Sequence, residues 1–247
     1  MTRRGKRFWT GAGLVTTEML GAMAVFTGAL AGLIFLIRPG MRRHKKADLK
    51  IFDMIKTRTN ERNTQIMSTI TFLGKHQFLI PANLSLIFYF LFIQKHTWFS
   101  IRIVAIALSS LGLMFGLKYL FKRRRPLEPL LHNVKGLSFP SGHAIFAVTF
   151  YGLLIYIISQ TIKDKPLKWS LIISLVALIQ LIGFSRVYLR VHYASDVAAG
   201  YIIGLAWLLI ALGVLKRVEE YNKQQVQFNS PATIRLHTFK RQPYSIA

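Results

Sequence analysis

The stretch PSGHAIFAVTFYGLLIYIISQTI, residues 140–162, decides the class of this chain. After His143 no charged residue appears until Lys163. At 1.5 Å of rise per residue, about 20 apolar residues cross about 30 Å of hydrocarbon. Inside a bilayer the backbone must satisfy its own polar groups, so the run is predicted to be a helix.

Five runs of the same kind accompany it. They cover about Leu14 or Met19 to Ile37, Ile70 to Ile93, Trp98 to Phe121, Leu167 to about Tyr188, and Asp196 to Leu215; His143 to Ile162 is the fourth of six. Pro81 predicts a kink or a helix start within the second. With 52% apolar and 13% aromatic residues among 247, the expectation is an all-α polytopic membrane protein. Six transmembrane helices form one domain over residues 1–220. Arg3, Arg4, Lys6 and Arg7 give the start the look of a signal peptide. The apolar run behind them is longer than a cleaved h-region, so an uncleaved first helix is expected.

Two polar segments remain. In residues 42–65, Leu49, Phe52 and Ile55 recur at helical spacing among Lys50, Lys56, Arg58 and Arg62. That pattern fits a basic amphipathic helix lying in the headgroup layer, or a solvated connector. Residues 221–247 form a polar tail without apolar periodicity, expected to be partly disordered.

The net charge is +24, from 33 Lys and Arg against 9 Asp and Glu. The cations flank apolar spans and form no stripe on a soluble fold. They therefore point to membrane topology and a bilayer with anionic lipids, with no nucleic-acid partner. The absence of cysteine excludes disulfides, thiolate metal sites and cysteine nucleophiles.

Counting spans brings three short strings to one membrane face. The third span ends at Lys118-x6-Arg125-Pro126, and the fourth starts at Pro140-Ser141-Gly142-His143. The fifth returns at Ser185-Arg186, and the sixth begins with Asp196, four residues after His192. Both termini then lie on the opposite face. Cations are nearly balanced between the two faces, so charge alone does not orient the chain.

The three strings hold groups able to bind and attack a phosphate. Lys118, Arg125 and Arg186 supply positive charge, and the arginine fork suits bidentate phosphate binding. Any one of them taken alone also fits a snorkelling cation at a helix end. Lys118 stands apart, a full turn before the basic cluster, where its helix is still apolar. Arg123 and Arg124, in that cluster, are read as snorkelling cations at the helix end. Ser141 and Gly142 at a helix start leave outward N–H groups, an anion site, although Ser141 also suits a plain N-cap. Asp196 is placed to hold one imidazole nitrogen of His192 and sharpen the other as a nucleophile; a purely structural pair is the alternative. Of the acidic residues, Asp196 and Glu128 are counted near this face, too few for a two-metal cage. Metal-free chemistry is expected.

Together the strings resemble the signature of the type 2 phosphatidic acid phosphatase superfamily, KxxxxxxRP, PSGH and SRxxxxxHxxxD. Lys118, Arg125, Pro126, Pro140 to His143, Ser185, Arg186, His192 and Asp196 match every fixed position, and the likeness extends from about residue 60 to 215. The resemblance implies an integral membrane lipid phosphatase without cofactor or metal. His192 would become phosphorylated, Asp196 would orient it, and His143 would protonate the leaving oxygen. Lys118, Arg125, Ser141, Gly142 and Arg186 would hold the phosphate. It also implies a site on the extracytoplasmic (periplasmic) face of the cell (inner) membrane. The soluble vanadium-dependent haloperoxidases share the motifs, but six apolar spans argue against that branch.

A lipid phosphate or diphosphate is the expected substrate, released as inorganic phosphate. Phosphatidic acid, phosphatidylglycerol phosphate, undecaprenyl diphosphate and lipid A phosphates all fit. The loop Leu127 to Phe139, with His132 and Lys135, is expected to form the headgroup entrance together with the basic stretch before the second span. A lipid phosphotransferase and a non-catalytic anionic-lipid binding or transport protein are the other readings; the latter leaves the His192–Asp196 pair beside His143 without a purpose.

Overall fold

The computed structural model describes residues 28, 32, 46–57, 59–126, 129–131 and 136–228. The first apolar run lies outside the described residues apart from residues 28 and 32, as do His132, Lys135 and residues 229–247 of the tail. Every regular element described is helical: α1 (46–56), α2 (Glu61–Phe72), α3 (His76–Phe88) running into a π turn (Tyr89–Ile93), α4 (Thr97–Phe121), α5 (Gly142–Thr161), α6 (Lys165–Tyr188) and α7 (Ala194–Phe228). Five rods among the described residues are long and apolar enough to cross a bilayer: Glu61–Ile93 taken as one, α4, α5, α6 and the Ala194–Lys223 part of α7. The chain is an all-α, membrane-embedded protein.

Two compact units divide it, residues 26–211 and residues 1–25 with 212–247. Of the second unit the structure describes 212–228, where α7 continues past residue 220 to Phe228. Sequence had set residue 221 as the start of the tail; the first eight tail positions are helical. One i,i+4 pair, Glu219–Lys223 at 2.6 Å, spans the boundary, and Lys216–Glu220 at 3.9 Å lies just before it.

In the first unit α5 packs between α4 and α6, α2 lies on α6, and α3 lies on α4. Apolar side chains such as Leu108, Phe115 and Ile173 stay exposed on the outer faces, as lipid contact requires. The second rod is interrupted, but not at Pro81, where sequence expected a kink or start. Pro81 sits inside α3. The interruption falls at residues 73–75, where successive N–H groups bond three residues back, Gly74 N to Thr71 O among them. A Cβ on Gly74 would stand 2.8 Å from Ile182 Cγ2 and 3.1 Å from His143 Cδ2. This corner therefore packs directly on α5 and α6.

Glycine also sets how α7 meets the start of α5. A Cβ on Gly200 would lie 2.8 Å from Ala144 Cβ and 3.0 Å from Ser141 O; one on Gly204 would lie 3.1 Å from Ile145 O. Small residues four apart let two membrane helices approach to backbone contact. Gly200→Ala should lower the unfolding midpoint in detergent, while Gly116→Ala, with nothing within 4 Å among the described residues, should hold or raise it by helix propensity. Equal midpoints would show that this contact does not govern the packing.

Candidate active site

Each motif is delivered by a helix end whose geometry is set locally. α4 stops because Lys122 turns left-handed (φ 46°), which sends the chain sideways one turn after Lys118. The following loop folds back beneath it. Lys118 Nζ donates to Leu137 O (2.6 Å), Ser138 N to Arg123 O (2.8 Å), and Arg125 Nε to the carbonyl of Gly136 (3.1 Å). Gly136 has φ 87°, a conformation that favours glycine. Phe139 is buried against Phe121, with ring centroids 4.5 Å apart, and anchors the loop in the core.

α6 ends in a Schellman motif with arginine where glycine is commoner. Arg190 is left-handed (φ 54°), its N–H bonds Val187 O (3.0 Å), and Val191 N bonds Arg186 O (3.2 Å). His192 N also donates to Arg186 O (3.2 Å). The backbone of one proposed phosphate cation thus fixes the position of the imidazole. Asp196 occupies the first turn of α7, and its Oδ2 accepts from Tyr193 N (3.0 Å), half of a capping box. Ser141 caps α5, accepting from Ala144 N at 3.5 Å, while Ser141 N donates to Asp196 O (3.1 Å).

These contacts bring the three strings together. Arg125 NH1 donates to Val191 O (2.7 Å) and lies 3.3 Å from His192 Nε2. Arginine can only donate, so this contact is favourable when Nε2 carries its lone pair and the proton is on Nδ1. Nδ1 faces Asp196 Oδ2 at 3.7 Å, an ion-pair distance too long for a hydrogen bond. Arg186 is buried, with NH1 donating to Thr71 Oγ1 (2.8 Å). Lys118 lies within electrostatic range of Arg125, Asp196 and Arg186, and His143 within range of Arg186, His192, Lys75 and Arg125. Among the described residues, the buried His143 Nε2 has no hydrogen-bond partner.

His192 is 2% exposed. Burial pushes its pKa down to about 4, with Arg125 and Arg186 acting in the same direction and Asp196 opposing them. At neutral pH the imidazole is therefore uncharged, the form able to attack an electrophile. Ser185, fixed in the third string, is turned away from this chemistry: it is fully buried and donates to Ile182 O (2.6 Å).

Sequence reasoning missed two residues here. Arg123, read as one of the surface cluster, has a side chain only 10% exposed. Its NH1 bonds Asp196 Oδ1 (2.5 Å) and Ser195 Oγ (2.8 Å), and its NH2 bonds Asp48 Oδ2 (2.9 Å). Asp48 had been left out of the acidic residues near this face. It is 2% exposed, on the inward side of α1 with Phe52, whereas Leu49 is 47% exposed. α1 therefore packs one face beside the second and third strings: Phe52 clusters with Ala144 of α5, Val187 of α6 and Val197 of α7. Arg124 is exposed, as a member of a basic cluster should be.

Comparisons with known proteins give the chain a family. A family model described as the PAP2 superfamily matches residues 98–219. Phosphatidylglycerophosphatase B of Bacillus subtilis is 31% identical over 163 residues, covering 65% of this chain and 79% of that protein. An undecaprenyl-diphosphatase of Sulfolobus acidocaldarius is 28% identical over 136 residues, 49% of this chain and 57% of its own. Among solved structures, a transmembrane PAP2-type phosphatidylglycerolphosphate phosphatase from Bacillus subtilis superposes with a TM-score of 0.66 at 26% identity, covering 81% of this chain and 96% of that one. LpxE of Aquifex aeolicus gives 0.51 at 26% identity, over 67% and 94%. A buried histidine between an arginine and an aspartate at the end of a membrane helix bundle, with these relatives, defines the class as membrane phosphatase. This chain belongs to the PAP2 superfamily.

Proposed function

We propose that the chain hydrolyses a membrane lipid phosphate or diphosphate without a metal, through a phosphohistidine on His192. His192 Nε2 attacks phosphorus while the lipid oxygen leaves with a proton from His143. Water, giving a proton back to His143, then attacks the phosphohistidine, which releases inorganic phosphate and restores both imidazoles. Lys118, Arg125, Arg186 and the start of α5 at Ser141 and Gly142 neutralise the phosphate oxygens.

The observation that carries this is the placement of His192 between Arg125 NH1 at 3.3 Å and Asp196 at 3.7 Å. A phosphate oxygen bound by Arg125 would bring phosphorus to Nε2. The positive charge growing on the ring as the bond forms would then draw Asp196 closer. The four cations Lys118, Arg123, Arg125 and Arg186 face two carboxylates, Asp48 and Asp196. The excess of positive charge suits a phosphate dianion.

Phosphatidylglycerol phosphate and undecaprenyl diphosphate are the substrates suggested by the relatives' names, and the site faces the extracytoplasmic side. Protein purified in detergent should release phosphate from at least one member of a panel of lipid phosphates, equally well in EDTA. Sealed right-side-out vesicles should act on externally added lipid without being opened. No release from any lipid phosphate overturns the hydrolase reading. Loss in EDTA restored by magnesium overturns the metal-free one. Hydrolysis only after opening the vesicles reverses the orientation.

A further inference from the structure

The Arg123 cluster joins three elements that sequence keeps far apart. Asp48 comes from α1, Arg123 from the loop after α4, and Ser195 and Asp196 from α7. The two carboxylates are bridged by one guanidinium, NH2 to Asp48 (2.9 Å) and NH1 to Asp196. Ser195 closes the ring: its Oγ donates to Asp48 Oδ2 (2.7 Å) and accepts from Arg123 NH1, while its N–H donates to Asp48 Oδ1 (3.0 Å). The guanidinium carbon stands 4.1 Å from the centre of the Tyr193 ring. Both sides of the fork and the flat face are therefore occupied, a fit that lysine cannot reproduce.

The consequence lies on Asp196. Arg123 takes Oδ1, and Ser138 Oγ and Tyr193 N take Oδ2, the oxygen facing His192 Nδ1. The carboxylate is thereby fixed in rotation and in charge directly behind the imidazole. We propose that Arg123, braced by Asp48 of α1, is a positioning residue that holds Asp196 in place behind His192. This rests on the roles given above to His192 and Asp196. It makes α1 part of the catalytic apparatus, because its one inward carboxylate fixes the residue that fixes the nucleophile.

The test compares Arg123→Gln, Arg123→Lys and Asp48→Asn with the wild type, in detergent, on protein that elutes as one folded species. Arg123→Gln should lower kcat by about 10- to 100-fold, with KM changed by no more than about twofold, since displacement of a catalytic group slows the chemical step before it weakens binding. Asp48→Asn should lower kcat by about three- to tenfold, and Arg123→Lys should recover part of the loss.

The pH profile separates positioning from scaffolding. The charged and titratable groups acting on His192 are Arg125 from the loop, Arg186 from α6, His143 from α5 and Asp196 from α7. Arg123 and Asp48 act behind Asp196. Without Arg123 the charge of Asp196 is unopposed, His192 takes a proton more readily, and the acid limb of kcat/KM should move up by about one pH unit. Asp48→Asn leaves Arg123 less neutralised, so the limb should stay or move down. Arg123→Lys should leave it near the wild-type position.

Wild-type kcat with an unmoved limb in Arg123→Gln overturns the proposal. So does a loss of kcat in both charge-removing variants with an unmoved limb in Arg123→Gln, which marks a scaffold. If Arg123→Gln does not fold, the other two decide: wild-type kcat in Asp48→Asn, or an Arg123→Lys as inactive as His192→Ala, overturns it. An active His192→Ala removes the catalytic assignment itself. A dead His192→Ala beside an unaffected Arg123→Gln removes only the positioning role.

Discussion

His192→Ala should abolish steady-state phosphate release, lowering kcat by about 10⁴-fold or more, while the protein keeps its fold. The structure gives a reason for both halves. The imidazole is the nucleophile in the proposed reaction, and none of Lys118, Arg125 or Arg186 can replace it. Its loss also leaves the surroundings bonded: Arg125 NH1 keeps Val191 O at 2.7 Å, and Asp196 keeps Arg123, Ser138 and Tyr193 N. Neither charge is stranded, so the variant loses the packing of one ring and little else. The check is phosphate release by monodisperse protein, with the unfolding midpoint measured beside it. Substantial turnover at an unchanged midpoint would remove His192 from the nucleophile role.

His143→Ala should show an effect that depends on the substrate. Its Nε2 is buried with no hydrogen-bond partner among the described residues, and the ring packs on the α2–α3 corner, where a Cβ on Gly74 would come within 3.1 Å of it. A group so held, with no bond of its own to maintain, is suited to deliver a proton to a leaving oxygen. For a lipid alcohol leaving group the loss should be about 10²- to 10⁴-fold, and for an activated aryl phosphate far less. Equal losses on both substrates would make His143 a binding residue.

Much of this was legible because membrane helices and phosphate chemistry both leave local marks in sequence. The runs that became α4, α5 and α6 were bounded within a few residues by their charged ends. The three motif strings lie at helix ends, so counting spans placed them on one face. Other features depend on contacts that no local pattern encodes. The Arg123–Asp48 ion pair joins residues 75 positions apart, and nothing in Lys122 to Arg125 distinguishes the buried arginines from the exposed one. In α1 the apolar pattern of Leu49, Phe52 and Ile55 marked an inward face that Phe52 and Ile55 occupy, but Asp48 turns inward where Leu49 does not, because Arg123 and Ser195 are there to receive it. Pro81 looked like the break in the second rod. The helix is instead interrupted at residues 73–75, where Gly74 packs against His143 and Ile182. The Schellman turn after α6 was hidden too, since Arg190 occupies the left-handed position where sequence rules look for glycine or asparagine.

The central claim is that one phosphoryl group passes through His192. Rapid quenching of the enzyme with lipid phosphate labelled at the terminal phosphorus, followed by peptide mapping under alkaline conditions where phosphohistidine survives, tests it directly. Label is expected on the peptide carrying His192, formed at least as fast as turnover and absent in His192→Ala. Label on another residue, or turnover at full rate with His192 never labelled, would contradict it.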